Sequence, residues 1–185
     1  PDVKRFEEEG FLFADSTFFD VFAGFDFRRG DPSTALSRPG TVVLTPEAAR
    51  RYFGDEDPMG KTLIRESADD QALTVTGVLA PIPANSHLQF DVVTSMATLF
   101  AGLGYPADYQ SDSFWFPQAW TYARLQPGEQ RGAAEQQVVE AVASNRRPEV
   151  AEKFVPALQP LTSIHLYSNL SGEPRGQGSI TQVTV

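Results

Sequence analysis

The stretch Gly54-Asp55-Glu56-Asp57-Pro58-Met59-Gly60-Lys61-Thr62 carries residue types used by two kinds of ligand loop. Two glycines followed by Lys and Thr resemble a phosphate-cradling loop, where backbone N–H groups face the phosphates, Lys reaches them and Thr meets the magnesium ion. Five residues separate these glycines where that loop needs four, and three carboxylates occupy the ground on which phosphates would lie. The same stretch places Asp55, Asp57, Gly60 and Glu66 at the first, third, sixth and twelfth positions of a calcium loop. Met59 offers no oxygen at the fifth position, Pro58 stiffens the turn, and Lys61-Thr62-Leu63 reads as strand. A plain helix-to-strand turn explains the stretch better than either ligand.

Other chemistry is equally thin. Arg29-Gly30-Asp31 spells an adhesion tripeptide, but the adjoining Pro32 favours an ordinary turn. His87 and His165 belong to no spacing that would set two ligands on one helix face, and each reads as a hydrogen-bonded loop histidine. No Gly-x-Ser-x-Gly elbow or Gly-x-Gly-x-x-Gly fingerprint occurs, and carboxylate pairs such as Asp69-Asp70 fall in polar turns. The chain has no cysteine, which removes disulfides, thiolate metal sites and a Cys nucleophile together. The expectation is a non-catalytic protein with no cofactor and no metal.

Composition narrows the partners. Of 185 residues, 41% are apolar and 11% aromatic, enough to bury a core without staples. With 15 Lys and Arg against 24 Asp and Glu the net charge is −9, and no local basic cluster reverses it, so nucleic acid is not expected. No run of about 18 or more apolar residues is present, so no segment reads as a membrane-crossing helix. The chain opens at Pro1-Asp2-Val3-Lys4-Arg5 without an initiator Met, which suggests a piece of something larger.

The elements follow from periodicity. Eight of the fourteen phenylalanines lie in the first thirty residues. Phe11 and Phe13 alternate as in a strand, while Asp15 followed by Phe18, Phe22 and Phe25 predicts a capped amphipathic helix whose rings are core. Residues 41–44 predict a β-branched strand, and Thr45-Pro46 caps a helix that runs to Phe53 and stops at Gly54. Residues 61–65 and 73–79 predict a strand pair closed by a polar turn, ended by Pro81 and Pro83, and residues 90–95 form a further apolar run. Residues 101–118 read as a long loop, 120–125 as a strand, and 129–144 as a helix with Ala134, Val138, Ala141 and Val142 on one face. A short helix at 149–154, a strand at 155–161 and a polar tail complete the reading.

The series of motifs, in order, resembles the extracytoplasmic (periplasmic) core domain of MacB-like, FtsX-family ABC transporter permeases. The stretches that carry it include Ala14-Asp15-Ser16-Thr17-Phe18-Phe19-Asp20-Val21-Phe22, Tyr52-Phe53-Gly54-Asp55-Glu56-Asp57-Pro58-Met59-Gly60-Lys61-Thr62-Leu63 and Val75-Thr76-Gly77-Val78-Leu79. Asn85-Ser86-His87-Leu88-Gln89-Phe90-Asp91 and Pro160-Leu161-Thr162-Ser163-Ile164-His165 also fit. The resemblance implies an α+β fold of mixed sheets with packed helices in two lobes: an inserted α/β lobe over about 18–100, and a porter-like lobe from 1–17 with 118–185. It implies a place on the periplasmic side of the bacterial inner membrane. It further implies transmembrane helices of the same permease, a cytoplasmic ABC ATPase, a second copy of the permease or its second outer domain, and a periplasmic adaptor. Function would be the coupling of ATP hydrolysis to movement outside the membrane, for efflux or export of a peptide, lipoprotein or drug-like substrate, or for mechanotransmission. The loop 102–117, with Tyr105, Tyr109 and Trp115, is the expected partner contact; the ordinary alternative is that these rings fold back onto the lobe. A rival reading is an extracytoplasmic sensor or small-ligand-binding module, which requires an apolar pocket with convergent polar groups.

Overall fold

A computed structural model of the chain describes residues 5–66, 70–104, 120–145 and 157–163. The chain divides into two compact units, Pro1–Gln110 and Ser111–Val185.

The first unit is built on one mixed six-stranded sheet. Its strands are β1 (Phe11–Ala14), β2 (Phe27–Gly30), β3 (Thr41–Leu44), β4 (Thr62–Arg65), β5 (Gln71–Leu79) and β6 (Val92–Ser95). They lie in the order β1-β6-β3-β5-β2, and β4 also pairs with β5. β1 runs parallel to β6 and β3 parallel to β5; the β3–β6, β2–β5 and β4–β5 pairs are antiparallel. The nine-residue β5 holds β4 along its first half, with Thr62 opposite Thr74, and β2 along its second half, with Phe27 opposite Leu79. Between these halves Val42 pairs with Val75 but Val43 with Gly77, so Thr76 is the extra residue of a bulge. Its hydroxyl reaches the carbonyls of Ala35 (2.8 Å) and Val42 (3.1 Å), which satisfies the polar group that the bulge displaces.

Every residue of β3 and β6 is buried, because both faces of the sheet are covered. On one face lies α2 (Pro46–Phe53), which sets Ala48 and Ala49 against Val42, Leu44, Leu73, Val75, Val78 and Val92. Its start is fixed by Pro46 at the first turn and by the Thr45 hydroxyl, which accepts from the Ala48 N–H at 3.2 Å. Its end is fixed by Gly54 at φ 63°, whose N–H donates to the Arg50 carbonyl at 2.8 Å. The other face carries aromatic rings. Phe27 packs on Phe19 with centroids 4.7 Å apart, and Phe18 touches Phe19, Phe22, Phe25 and Phe90 at 5.0 to 6.0 Å. Gly77 is required by this packing, since a Cβ there would lie 2.6 Å from a Phe27 ring carbon and 3.3 Å from a Val43 methyl.

The buried hydroxyls of this unit are tied down as well. Thr94 donates to the Thr41 carbonyl at 2.6 Å, and Thr98 accepts from the Gly40 N–H at 2.9 Å. Ser95 caps α3 (Met96–Gly102) by accepting from Ala97 at 3.2 Å.

In the second unit α4 (Arg131–Asn145) buries Ala134 and Val142, which lie two i+4 steps apart, with half-buried Val138 between them. The Glu135 side chain accepts from the Leu158 N–H at 2.9 Å and so holds the 157–163 segment to the helix.

The fold class is the α+β arrangement of sheet and packed helices that the resemblance implies. Several element expectations are corrected. The helix predicted from Asp15 over Phe18, Phe22 and Phe25 is only α1 (Phe18–Val21), and Phe25 returns to stack on Phe18 from the following turn. Asp15 does not cap it; its carboxylate closes a local turn on the Thr17 N–H and hydroxyl. β2 and α3 appear where no element was expected. Residues 120–125 form no strand, and Trp120 and Leu125 are exposed. Of the strand expected at 155–161, residues 157–160 have no regular structure and 161 begins a helical turn. Ala141 is exposed rather than on the buried face of α4. The short helix expected at 149–154 lies outside the described residues. The expected lobes group residues 1–17 with 118–185; within the first of those stretches β1 is an edge strand of the sheet, beside β6.

Candidate functional site: a polar clamp on the N-terminal strap

Before it joins the sheet, the chain crosses the end of α2 as an irregular strap over residues 5–10. The strap meets three separate segments. Gly10 supplies its carbonyl to the N–H groups of Asp91 (2.8 Å) and Val92 (3.0 Å), which starts the β1–β6 pairing. Glu8 pairs with the Arg51 guanidinium at 2.7 Å and accepts a short hydrogen bond from the Tyr52 hydroxyl. Arg51 also reaches Asp91 at 3.2 Å, so one guanidinium bridges the strap and the residue that opens β6. Phe6 lies edge-on to the Tyr52 ring at 5.1 Å, and Arg5 pairs with Glu66 at 2.8 Å.

Asp91 is the knot of this clamp. Its carbonyl accepts from the Thr45 N–H at 2.9 Å, which ties the end of β3 and the start of α2 to the same point. Arg51 and Tyr52 both lie on the last turn of α2, and Glu8 sits where both side chains reach it. Glu8 is the most enclosed of the ion-pair side chains, 14% exposed against 38% for Arg51 and 37% for Asp91.

The electrostatics favour a fixed tie over proton transfer. Partial burial and the Glu8 carboxylate that its hydroxyl faces push the Tyr52 pKa up to about 12, so the phenol stays a donor across the physiological range. Burial works against the Arg51 charge, yet its hydrogen bonds to Asp91 and Tyr52 and the charges of Glu8 and Asp91 outweigh it and raise its pKa. A general acid or base needs a pKa near the working pH, and neither group has one.

The loop that resembles ligand motifs is a turn in which Glu56 and Asp57 each pair with a cation. Gly54 and Gly60 adopt left-handed φ of 63° and 75°, and Lys61 and Gly60 are stitched to Val75 by backbone hydrogen bonds of 2.8 and 2.9 Å. Asp57 accepts from the Met59 N–H at 3.1 Å and pairs with Arg29 at 3.0 Å; these contacts, the Met59 hydrogen bond first, lower its pKa. Lys61 pairs with Glu56, whose pKa falls in response, and sits over the Phe53 ring at 5.3 Å. Lys61 is thus held by the helix-to-strand turn, as the sequence reading expects. Of Arg29-Gly30-Asp31, the first two residues end β2 and only Asp31 leads into the expected turn: it accepts from the Ser33 hydroxyl (2.7 Å) and N–H (2.9 Å), and the hydroxyl bond first lowers its pKa.

His87 is half-buried in the 81–90 connection, and His165 lies outside the described residues. So do Tyr105, Tyr109 and Trp115. The clamp residues Glu8, Arg51, Tyr52 and Asp91 were not singled out by spacing, since only the fold brings three distant segments together.

Comparison with known proteins gives the family. Residues 3–141 match the family of the MacB-like periplasmic core domain. The chain belongs to this family. Among solved structures it is similar to a domain of a protein described as a permease, from Porphyromonas gingivalis, at 25% identity and a TM-score of 0.57, covering 88% of this chain and 71% of that one. It is also similar, at 18% identity and a TM-score of 0.45, to the periplasmic region of MacB from Actinobacillus actinomycetemcomitans, covering 70% of this chain and 53% of that one. No curated protein matches the chain. The chain is therefore a MacB-like periplasmic core domain of an ABC transporter permease, a family built for the extracytoplasmic side of the inner membrane. Among the described residues, no helix is long and apolar enough to cross a membrane.

Proposed function

We propose that this domain couples ATP hydrolysis by a cytoplasmic ABC ATPase to movement on the outer side of the inner membrane. Membrane helices of the same permease would carry the displacement to it, and its partner there would be a second copy of the permease or the second outer domain, with a periplasmic adaptor beyond. The output is efflux or export of a peptide, lipoprotein or drug-like substrate, or mechanotransmission. The observation that carries the reading is the family match over residues 3–141. The physical support is the sheet, closed by α2 on one face and by phenylalanines on the other, which suits a body displaced as a unit because packed interiors do not deform continuously. The reading assigns the domain no chemistry of its own. It keeps Tyr105, Tyr109 and Trp115 of the 102–117 stretch as the proposed partner contact, and the porter-like and inserted lobes as the proposed division of labour.

The test uses the intact permease in its own membrane. The domain has no cysteine, so Glu47→Cys on the exposed side of α2 gives a single thiol within it. A membrane-impermeant maleimide added to the periplasmic side should label that thiol, and inactivating the ATPase should abolish export or signalling while leaving the labelling intact. Labelling only from the cytoplasmic side, or output that persists without ATP hydrolysis, would refute the proposal.

A further inference from the structure

Residues 5–9 and residues 10–14 hold to the lobe by different means. From Gly10 onwards the backbone is in the sheet: the Gly10 carbonyl takes two N–H groups, and Phe11, Leu12, Phe13 and Ala14 pair in register with Val92, Val93, Thr94 and Ser95. Residues 5–9 hold to the lobe through side chains: Arg5 to Glu66, Phe6 to Tyr52, and Glu8 to Arg51 and Tyr52. Two of these are weakly enclosed, since Arg5 and Glu66 are 78% and 63% exposed and Phe6 is 43% exposed. Glu8 alone is well covered. Releasing it would strand no cation, because Arg51 keeps Asp91 and the Tyr52 hydroxyl turns to water.

We infer that residues 5–9 are a latch, closed by Glu8 on Arg51 and Tyr52, that opens as a unit while β1 stays paired with β6. Opening exposes the Tyr52 hydroxyl and one face of Arg51 and breaks no strand pairing. It moves the hinge of the incoming chain from Arg5 to Gly10, an arm of about 17 Å for five extended residues. The closed latch fixes the direction from which the chain meets the lobe; the open latch lets that direction swing. The inference concerns the domain by itself and stands whether or not an ATPase drives it.

The test is pulsed electron paramagnetic resonance on the domain. Spin labels are placed at Glu7→Cys within the latch and Arg50→Cys on α2, both exposed and neither among the closing residues Glu8, Arg51 and Tyr52. The parent should give one dominant short distance with a minor longer component. Glu8→Ala should raise the long-to-short ratio about tenfold or more, the size expected for losing a charge-assisted hydrogen bond. Tyr52→Phe should raise it by less, and 1 M salt should raise it in the parent by weakening both ion pairs. Circular dichroism of every variant should stay that of the folded domain. An unchanged single distance in Glu8→Ala would overturn the inference. So would loss of the sheet together with the short distance in either variant, because the strap would then be part of the lobe's cooperative core.

Discussion

Removing the Glu8 carboxylate and the Tyr52 hydroxyl in turn should show that they stabilise the domain as a pair. The carboxylate sits 2.7 Å from Arg51 and takes the Tyr52 hydrogen, with only 14% of its side chain exposed. A hydrogen bond to a charged group is worth about 1.5–3 kcal/mol net, and the ion pair with half-exposed Arg51 adds up to about 1 kcal/mol after solvent screening. Glu8→Ala should therefore cost about 2–3 kcal/mol, and Tyr52→Phe about 1–2 kcal/mol, since the ring and its contacts with Phe6 and the α2 face remain. The double variant should lose less than the sum, because the shared bond can be lost only once; the coupling should be about 1 kcal/mol or more. The assay is urea denaturation followed by circular dichroism on the parent and three variants at fixed pH and salt. Additive losses, or a Glu8→Ala loss below about 0.5 kcal/mol, the range of an ordinary surface substitution, would refute the clamp.

Three further outcomes follow from particular contacts. Gly77→Ala should destabilise by about 1–3 kcal/mol, because its new methyl meets the Phe27 ring at 2.6 Å and a Val43 methyl at 3.3 Å; combining it with Phe27→Leu should recover part of the loss in the same denaturation assay. Thr45→Ala should cost about 1 kcal/mol by freeing the Ala48 N–H at the start of α2, whereas Thr45→Ser should restore most of it in thermal melts. The Tyr52 pKa is raised in the fold from 10.0 to about 12, so the native state holds a proton that the unfolded chain gives up. The stability this contributes is complete below pH 10 and disappears as pH climbs from 10 to about 12. Absorbance titration at 295 nm should show a late-ionising phase in the parent that is missing in Tyr52→Phe.

Several elements were legible because one local signal sufficed. Thr45-Pro46 before an alanine-containing turn and Gly54 after Phe53 set both ends of α2 at the residues the fold uses. The β-branched runs 41–44 and 73–79 have nowhere to go but a covered sheet. β2 was not legible: Phe27-Arg28-Arg29-Gly30 carries one apolar residue, and its strand character comes from the free second half of β5. Nor was α3, seven residues long, whose N-cap Ser95 also closes β6. Residues 120–125 alternate as a strand should, yet alternation describes a face, and no strand is placed against it among the described residues. The helix-to-strand turn from Gly54 to Lys61 was legible from its glycine spacing, Pro58, Met59 and carboxylates; Arg29 and the Met59 N–H meet Asp57, and Lys61 meets Glu56. The clamp escaped because its acids and bases come from residues 8, 51, 52 and 91, brought together by the β1–β6 and β3–β6 pairings. Its trace in the sequence was indirect: Tyr52 and Asp91 both lie in stretches that carry the family resemblance.

The most direct test of the coupling role is a distance measured in the intact permease with its ATPase, with one spin label at Arg50→Cys in each copy. The distance between the two copies should shift when the ATPase is trapped with ATP and return after hydrolysis and release. A distance distribution that is the same in nucleotide-free, ATP-trapped and post-hydrolysis states would contradict the account.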